Sequence, residues 1–212
     1  MVLVITGLAA ESRIAAGPGV SQVVCSGSEP DRLRDQLSRL APTGLRAVVS
    51  FGIAGGLDPS LNPGDVVVAT AVIADSGIWK VPCGVVSGIV EQVRTSGIRV
   101  AQGPVVGIDM LMLLPTEKAE VRRETNAIAI DMESHVGAAY AASHDLPFAA
   151  IRVVSALIDD TAVFRSCAMP ACWESIWFDA SWKRDARSPT RASTTCRADA
   201  SCGLLETSTK AL

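Results

Sequence analysis

The sequence has only two histidines, His135 and His144, and no CxxC pair among its six cysteines, which leaves little material for a zinc site. Basic residues are not in excess. Lys and Arg number 19 against 22 Asp and Glu, for a net charge of −3 and a pI near 5.4, so the footprint of a nucleic-acid binder is missing. No apolar run approaches the ~18 residues of a membrane span. The opening MVLVITGLAAESR has no basic n-region and meets Glu11 early, so no secretory leader is read there and a cytoplasmic protein with reduced thiols is expected. No GxGxxG follows a strand, and no glycine loop carries a Walker lysine, which makes a dinucleotide-dependent oxidoreductase a distant reading.

What is present points to a packed α/β domain. At 212 residues, 49% hydrophobic and 19% charged, with mean hydropathy +0.32, the chain can bury a large core. Strand-like and helix-like segments alternate. VLVITGL (2 to 8), RAVVSFGIAGGL (46 to 57, breaking into a glycine turn), GDVVVATAVIA (64 to 74), RVAQGPVVGI (99 to 108, interrupted at Gly103 and Pro104), AIAIDME and PFAAIRVVSAL read as strands. SEPDRLRDQLSRL (28 to 40) places Leu33, Leu37 and Leu40 on one helical face; VVSGIVEQVRTS, PTEKAEVRRETN and SHVGAAYAASH also read as helices. The order predicts a three-layer α/β/α sandwich with a mixed central sheet.

The pattern ends near residue 160. Sixteen of the 17 glycines precede that point, while three of the four tryptophans and four of the six cysteines follow it. The domain is therefore expected over 1–160. Residues 161–212 form an atypical C-terminal segment, either a solvated, partly disordered extension or the product of an altered reading frame.

Three stretches carry candidate chemistry. In AIDMESHV, Asp131, Glu133 and His135 follow a buried strand. Acids there can serve a helix N-terminus, but Glu133 can also accept from both hydroxyls of a vicinal diol, with Met132 as an apolar contact. In SFGIAGGL, Gly52, Gly55 and Gly56 allow a sharp turn or N–H groups aimed at a ligand. In TGLAAESR, a strand ends at Gly7; Glu11 can position or deprotonate water and Arg13 can hold an anion.

In order and spacing, the Gly7–Arg13 stretch, FGIAGGL with NPGDVVVA, IDMES and LPFAAIRVVS resemble the nucleoside phosphorylase and nucleosidase superfamily. TGLAAESRIAAGPGV, SFGIAGGLDPSLNPGDVVVA and DMESHV are similar to its hopanoid-associated phosphorylase branch. The likeness spans roughly residues 2 to 155. It implies a phosphorylase/hydrolase-like fold and cleavage of a purine N-glycosidic bond, with an adenosyl-hopane substrate releasing adenine, in a homo-oligomer that needs no cofactor. Inorganic phosphate is the one candidate co-substrate, and the substrate is a small nucleoside that could be lipid-linked. On that template Glu133 binds the ribose hydroxyls and Met132 packs on the sugar. Gly52, Gly55 and Gly56 contact substrate, and Gly7, Arg13 and Ser50 lie on the phosphate or nucleophile side. Glu11 is the candidate catalytic acid or base.

Two departures bear on activity. Where the superfamily places an acid after an RxxS pattern, RVVSAL has Ala156; Asp159 and Asp160 follow, and Asp159 becomes the candidate general acid. Where phosphorylases often carry an arginine and a hydroxyl residue around the glycine loop, Ser50 and Ile53 stand here. Hydrolysis by a methylthioadenosine/adenosylhomocysteine type of nucleosidase therefore competes with phosphorolysis. An impaired homologue that binds nucleoside without turnover, and a non-catalytic assembly subunit, also fit the sequence.

Overall fold

The computed structural model describes residues 1–156 except 18, 19, 21 and 113. Thirteen elements follow in chain order: β1 (Val2–Thr6), α1 (Ala9–Ala15), β2 (Gln22–Cys25), α2 (Pro30–Ser38), β3 (Ala47–Gly56), β4 (Val66–Ala74), β5 (Gly77–Lys80), α3 (Cys83–Thr95), β6 (Val100–Gly107), α4 (Pro115–Thr125), β7 (Ala129–Asp131), α5 (Ser134–Ser143) and β8 (Phe148–Ala156). The described residues form a mixed α/β fold around a mixed eight-stranded sheet, as the alternation predicts. Residues 161–212 and Asp159 lie outside the described residues.

Two parallel sets of strands build the sheet. β2, β1, β3 and β8 form one, and β4, β6 and β7 the other. They join antiparallel at two places, β3 with β7 and β8 with β4. The pairings β3, β8, β4, β6, β7 and back to β3 therefore close a five-stranded ring, with β1, β2 and β5 outside it. β1 is buried at all five positions, and the β3, β4 and β8 runs are nearly as apolar, as strands covered on both faces must be. Among the helices, α5 packs on β3, β6 and β8, α3 on β4 and β6, and α1 on β1 and β2.

The structure departs from the expected elements in four places. SFGIAGGL does not break into a turn, because β3 continues through Gly52 and Gly55 to Gly56. β6 runs unbroken through Gly103 and Pro104. The irregularity appears in its partner instead, where the register with β4 slips between Ala69 and Val72 opposite the proline that cannot donate. AAESRIA forms the short helix α1. Two short strands, β2 and β5, carry too few residues to show a period; β5 folds back on β4 as a hairpin across Asp75 and Ser76.

Candidate active site

A cavity of about 270 Å³ opens where the two strand sets meet at the β3–β7 junction. The residues that line it sit at or just beyond carboxyl ends of strands: Gly7 after β1, Gly55 on β3, Ile108 after β6, Asp131 to Glu133 at and after β7, and Ser155 on β8. Ligands of α/β folds gather at such ends in open sheets and closed barrels alike. A bulge in the β3–β8 ladder, where Ala54 pairs with Val154 but Gly55 pairs with Ala156, leaves Ser155 unpaired at the cavity.

Three acids converge there: Glu11, Asp131 and Glu133, all nearly buried. Glu11 stands in the first turn of α1 and is clamped by the backbone. Its Oε2 accepts from the N–H of Gly7 and of Leu8, both at 2.8 Å, and its Oε1 accepts from Ile53 N–H at 3.0 Å. A carboxylate has roughly four acceptor positions, so one remains for water. β3 can run this close only because residue 52 is glycine; a Cβ there would lie 2.8 Å from both Glu11 oxygens. A Cβ on Gly7 would likewise stand 2.6 Å from Glu133 Oε1. These glycines make room for carboxylates. The N–H contributed by the expected glycine turn belongs to Ile53 and goes to Glu11.

Glu133 is held loosely. Its Oε1 accepts from Ser26 Oγ at 3.4 Å, leaving acceptor capacity facing the cavity. Burial, together with the nearby Asp131 and Glu11 charges, outweighs the attraction of Arg152 and raises its pKa from 4.5 to about 7. The helix-start role falls instead to Asp131, whose Oδ1 accepts from the N–H of Glu133 at 3.1 Å and of Ser134 at 2.9 Å. Its Oδ2 accepts from Arg152 Nε at 2.6 Å and from the Ser134 hydroxyl. Arg152 also donates to Ser50 Oγ and Ser134 Oγ.

The predicted residues are thus partly assembled. Gly7, Glu11, Gly55, Met132 and Glu133 line the cavity. Gly52 lies behind Glu11, and Gly56 pairs with Ala129 beside the site. Ser50 is fully buried under Arg152 and Arg13 is exposed on α1; neither is among the described residues that line the cavity. Sequence reading missed Lys118, buried on α4 at the cavity wall, as well as Ser28, Ile108, Leu111, Met112 and Ser155. Among charged neighbours in PTEKAEVRRETN nothing marks Lys118 as inward. Among the described residues, no group of three or more His, Cys, Asp or Glu is placed to hold a metal ion, and no helix is long and apolar enough to cross a membrane.

Comparison with known proteins gives a consistent picture. A 5'-methylthioadenosine/S-adenosylhomocysteine nucleosidase of Anoxybacillus flavithermus is 30% identical over 138 residues, 56% of this chain and 58% of the relative, so the chain spans less than two thirds of that protein's length. The fold is shared with the Helicobacter pylori nucleosidase of the same description at TM-score 0.72 and 14% identity, covering 82% of this chain and 95% of that one. It is shared equally with the futalosine hydrolase of Helicobacter pylori, again at TM-score 0.72 and 14% identity, covering 82% and 94%. The Phosphorylase superfamily model matches residues 5–188, most of the sequence, and the chain belongs to that family.

Proposed function

We propose that the chain is a hydrolytic purine nucleosidase of the methylthioadenosine/adenosylhomocysteine type, with water rather than phosphate as nucleophile. The observation that carries this reading is the charge of the cavity: Glu11, Asp131 and Glu133 line it, and Lys118 is the one cation among its described lining residues. A phosphate dianion beside Glu11 and Glu133 would be repelled, whereas an oxocarbenium-like ribosyl centre would be stabilised. Arg152 compensates Asp131 and spends its other N–H groups on Ser50, Ser134 and the Ile151 carbonyl, so Glu11 and Glu133 receive no hydrogen bond from it.

In this reading Glu133 accepts from the ribose hydroxyls and Met132 packs on the sugar. Glu11 uses its remaining acceptor position to orient a water toward C1′ and takes its proton as the oxygen adds. The C1′–N bond breaks with its electron pair going to the purine, which must gain a proton. Ala156 ends β8 where the superfamily has an acid, and Asp159 is assigned that proton transfer.

The test is methylthioadenosine in buffer with and without inorganic phosphate, followed by chromatography of base and sugar. Adenine and free methylthioribose should form at the same rate in both. Phosphate-dependent release with a sugar 1-phosphate would overturn the water assignment, and no adenine in either buffer would overturn glycosidic cleavage. A second reading, cleavage of an adenosyl-hopane type substrate, is favoured by Leu111, which lines the cavity yet is exposed, in a segment where Met110 and Leu114 are exposed as well. It requires faster adenine release from an adenosine with a bulky apolar 5′ group than from methylthioadenosine.

A further inference from the structure

One wall of the cavity is made by a segment with no regular structure. Ile108, Leu111 and Met112 face the cavity from the stretch IDMLM between β6 and α4. Asp109 is the only polar residue in this stretch, and its carboxylate is tied to two other elements. Oδ1 accepts from Arg34 Nη2 of α2 at 2.6 Å and from His135 Nε2 of α5 at 2.9 Å. His135 follows Glu133 by two residues and is 4% exposed.

The roles at this junction follow from valence. Carboxylate Oδ1 can only accept, so His135 Nε2 carries the hydrogen. Arg34 Nη2, 3.2 Å from the same nitrogen, has only hydrogens to offer, so both donors converge on Oδ1. The imidazole is seated against the backbone of Gly107, where an added Cβ would lie 2.5 Å from Nδ1. Nδ1 has no partner among the described residues. A buried ring nitrogen left unpaired is unfavourable and needs a reason, and the Nε2 bond to Asp109 supplies one.

We propose that His135 is a positioning residue for substrate binding: with Arg34 it holds Asp109, and through Asp109 it fixes the Ile108–Met112 wall against the bound nucleoside. The assignment rests on the reading of this cavity as the nucleoside site. His135 is the buried member of the junction, its side chain 5% exposed against 42% for Arg34 and 58% for Asp109, so it is the fixed point to which the half-exposed pair is tied.

The experiment joins hydrogen exchange of the 109–112 amides with steady-state kinetics on methylthioadenosine. In His135→Leu, exchange of these amides should rise about tenfold and KM about tenfold, with kcat within about twofold. His135→Gln, whose amide nitrogen can reach the place of Nε2, should restore both, and Arg34→Gln should shift KM only about twofold. Unchanged exchange and KM in His135→Leu would overturn the proposal, as would a fall in kcat at constant KM or failure of Gln to rescue. If His135→Leu does not fold, Asp109→Ala removes the acceptor from the exposed side, and unchanged exchange there is equally decisive. A wild type that neither binds nor cleaves nucleoside would sink the functional reading, while the exchange measurement would still decide whether His135 pins the wall.

Discussion

Glu11 and Glu133 occupy one cavity and are held in opposite ways. Three backbone N–H groups engage Glu11, whereas Glu133 has one long hydroxyl contact and a pKa raised to about 7, chiefly by burial. Only its ionised form accepts from two ribose hydroxyls at full strength, so nucleoside affinity should improve as pH rises through about 7 and level off above. Glu133→Gln should bind about tenfold more weakly at pH 8 and lose that pH dependence, as titration calorimetry would register. Stability should move the other way. A carboxyl whose folded pKa exceeds its unfolded value favours the folded state while protonated, and that contribution fades between about pH 4.5 and about pH 7. The Tm of Glu133→Gln relative to wild type should therefore climb over this window. A flat difference would mean that Glu133 titrates as an ordinary exposed glutamate.

Strand β3 shows what an element contributes beyond its hydrogen bonds. Its glycines look like a loop in sequence because φ freedom is the usual reason for glycine clusters. In the structure none of Gly52, Gly55 and Gly56 has a positive φ, and what Gly52 supplies is space for a carboxylate. Gly52→Ala would drive its Cβ to 2.8 Å from both Glu11 oxygens. The free end of a side chain can yield, so the fold should survive with Tm within a few degrees. The acid, however, would shift by roughly 1 Å, which can cost about 10²-fold in kcat. A kcat near wild type would show that Glu11 does not need this geometry. The strand–helix alternation, the leucine face of α2 and the β7–α5 acids were legible because burial on two faces and helical spacing leave periodic marks. The ring closure and the inward turn of Lys118 were not, since both depend on which distant strands pair.

At the scale of the molecule, the closed ring places a buried ion pair behind the site. Arg152 on β8 and Asp131 on β7 are each 1% exposed; Ser50 on β3 and Ser134 on α5 complete the network. One guanidinium thereby ties together three strands of the ring and the helix that starts after Glu133 and carries His135. It also compensates Asp131, the one cavity acid that caps α5. Charges this deep are costly to expose singly, because removing one leaves the other desolvated without its partner. Arg152→Met should lower unfolding free energy by about 3–5 kcal/mol, measured by urea titration. Adding Asp131→Asn should recover part of that loss, because the neutral amide no longer needs a cation, although its carbonyl can still accept from the Ser134 N–H. The double variant removes one positive and one negative charge together, so the net charge at the cavity is unchanged and adenine release should stay indifferent to added phosphate. A double variant as unstable as Arg152→Met alone would mean that the arginine matters for packing rather than for Asp131, and one whose adenine release came to depend on phosphate would remove net charge as the basis for choosing water.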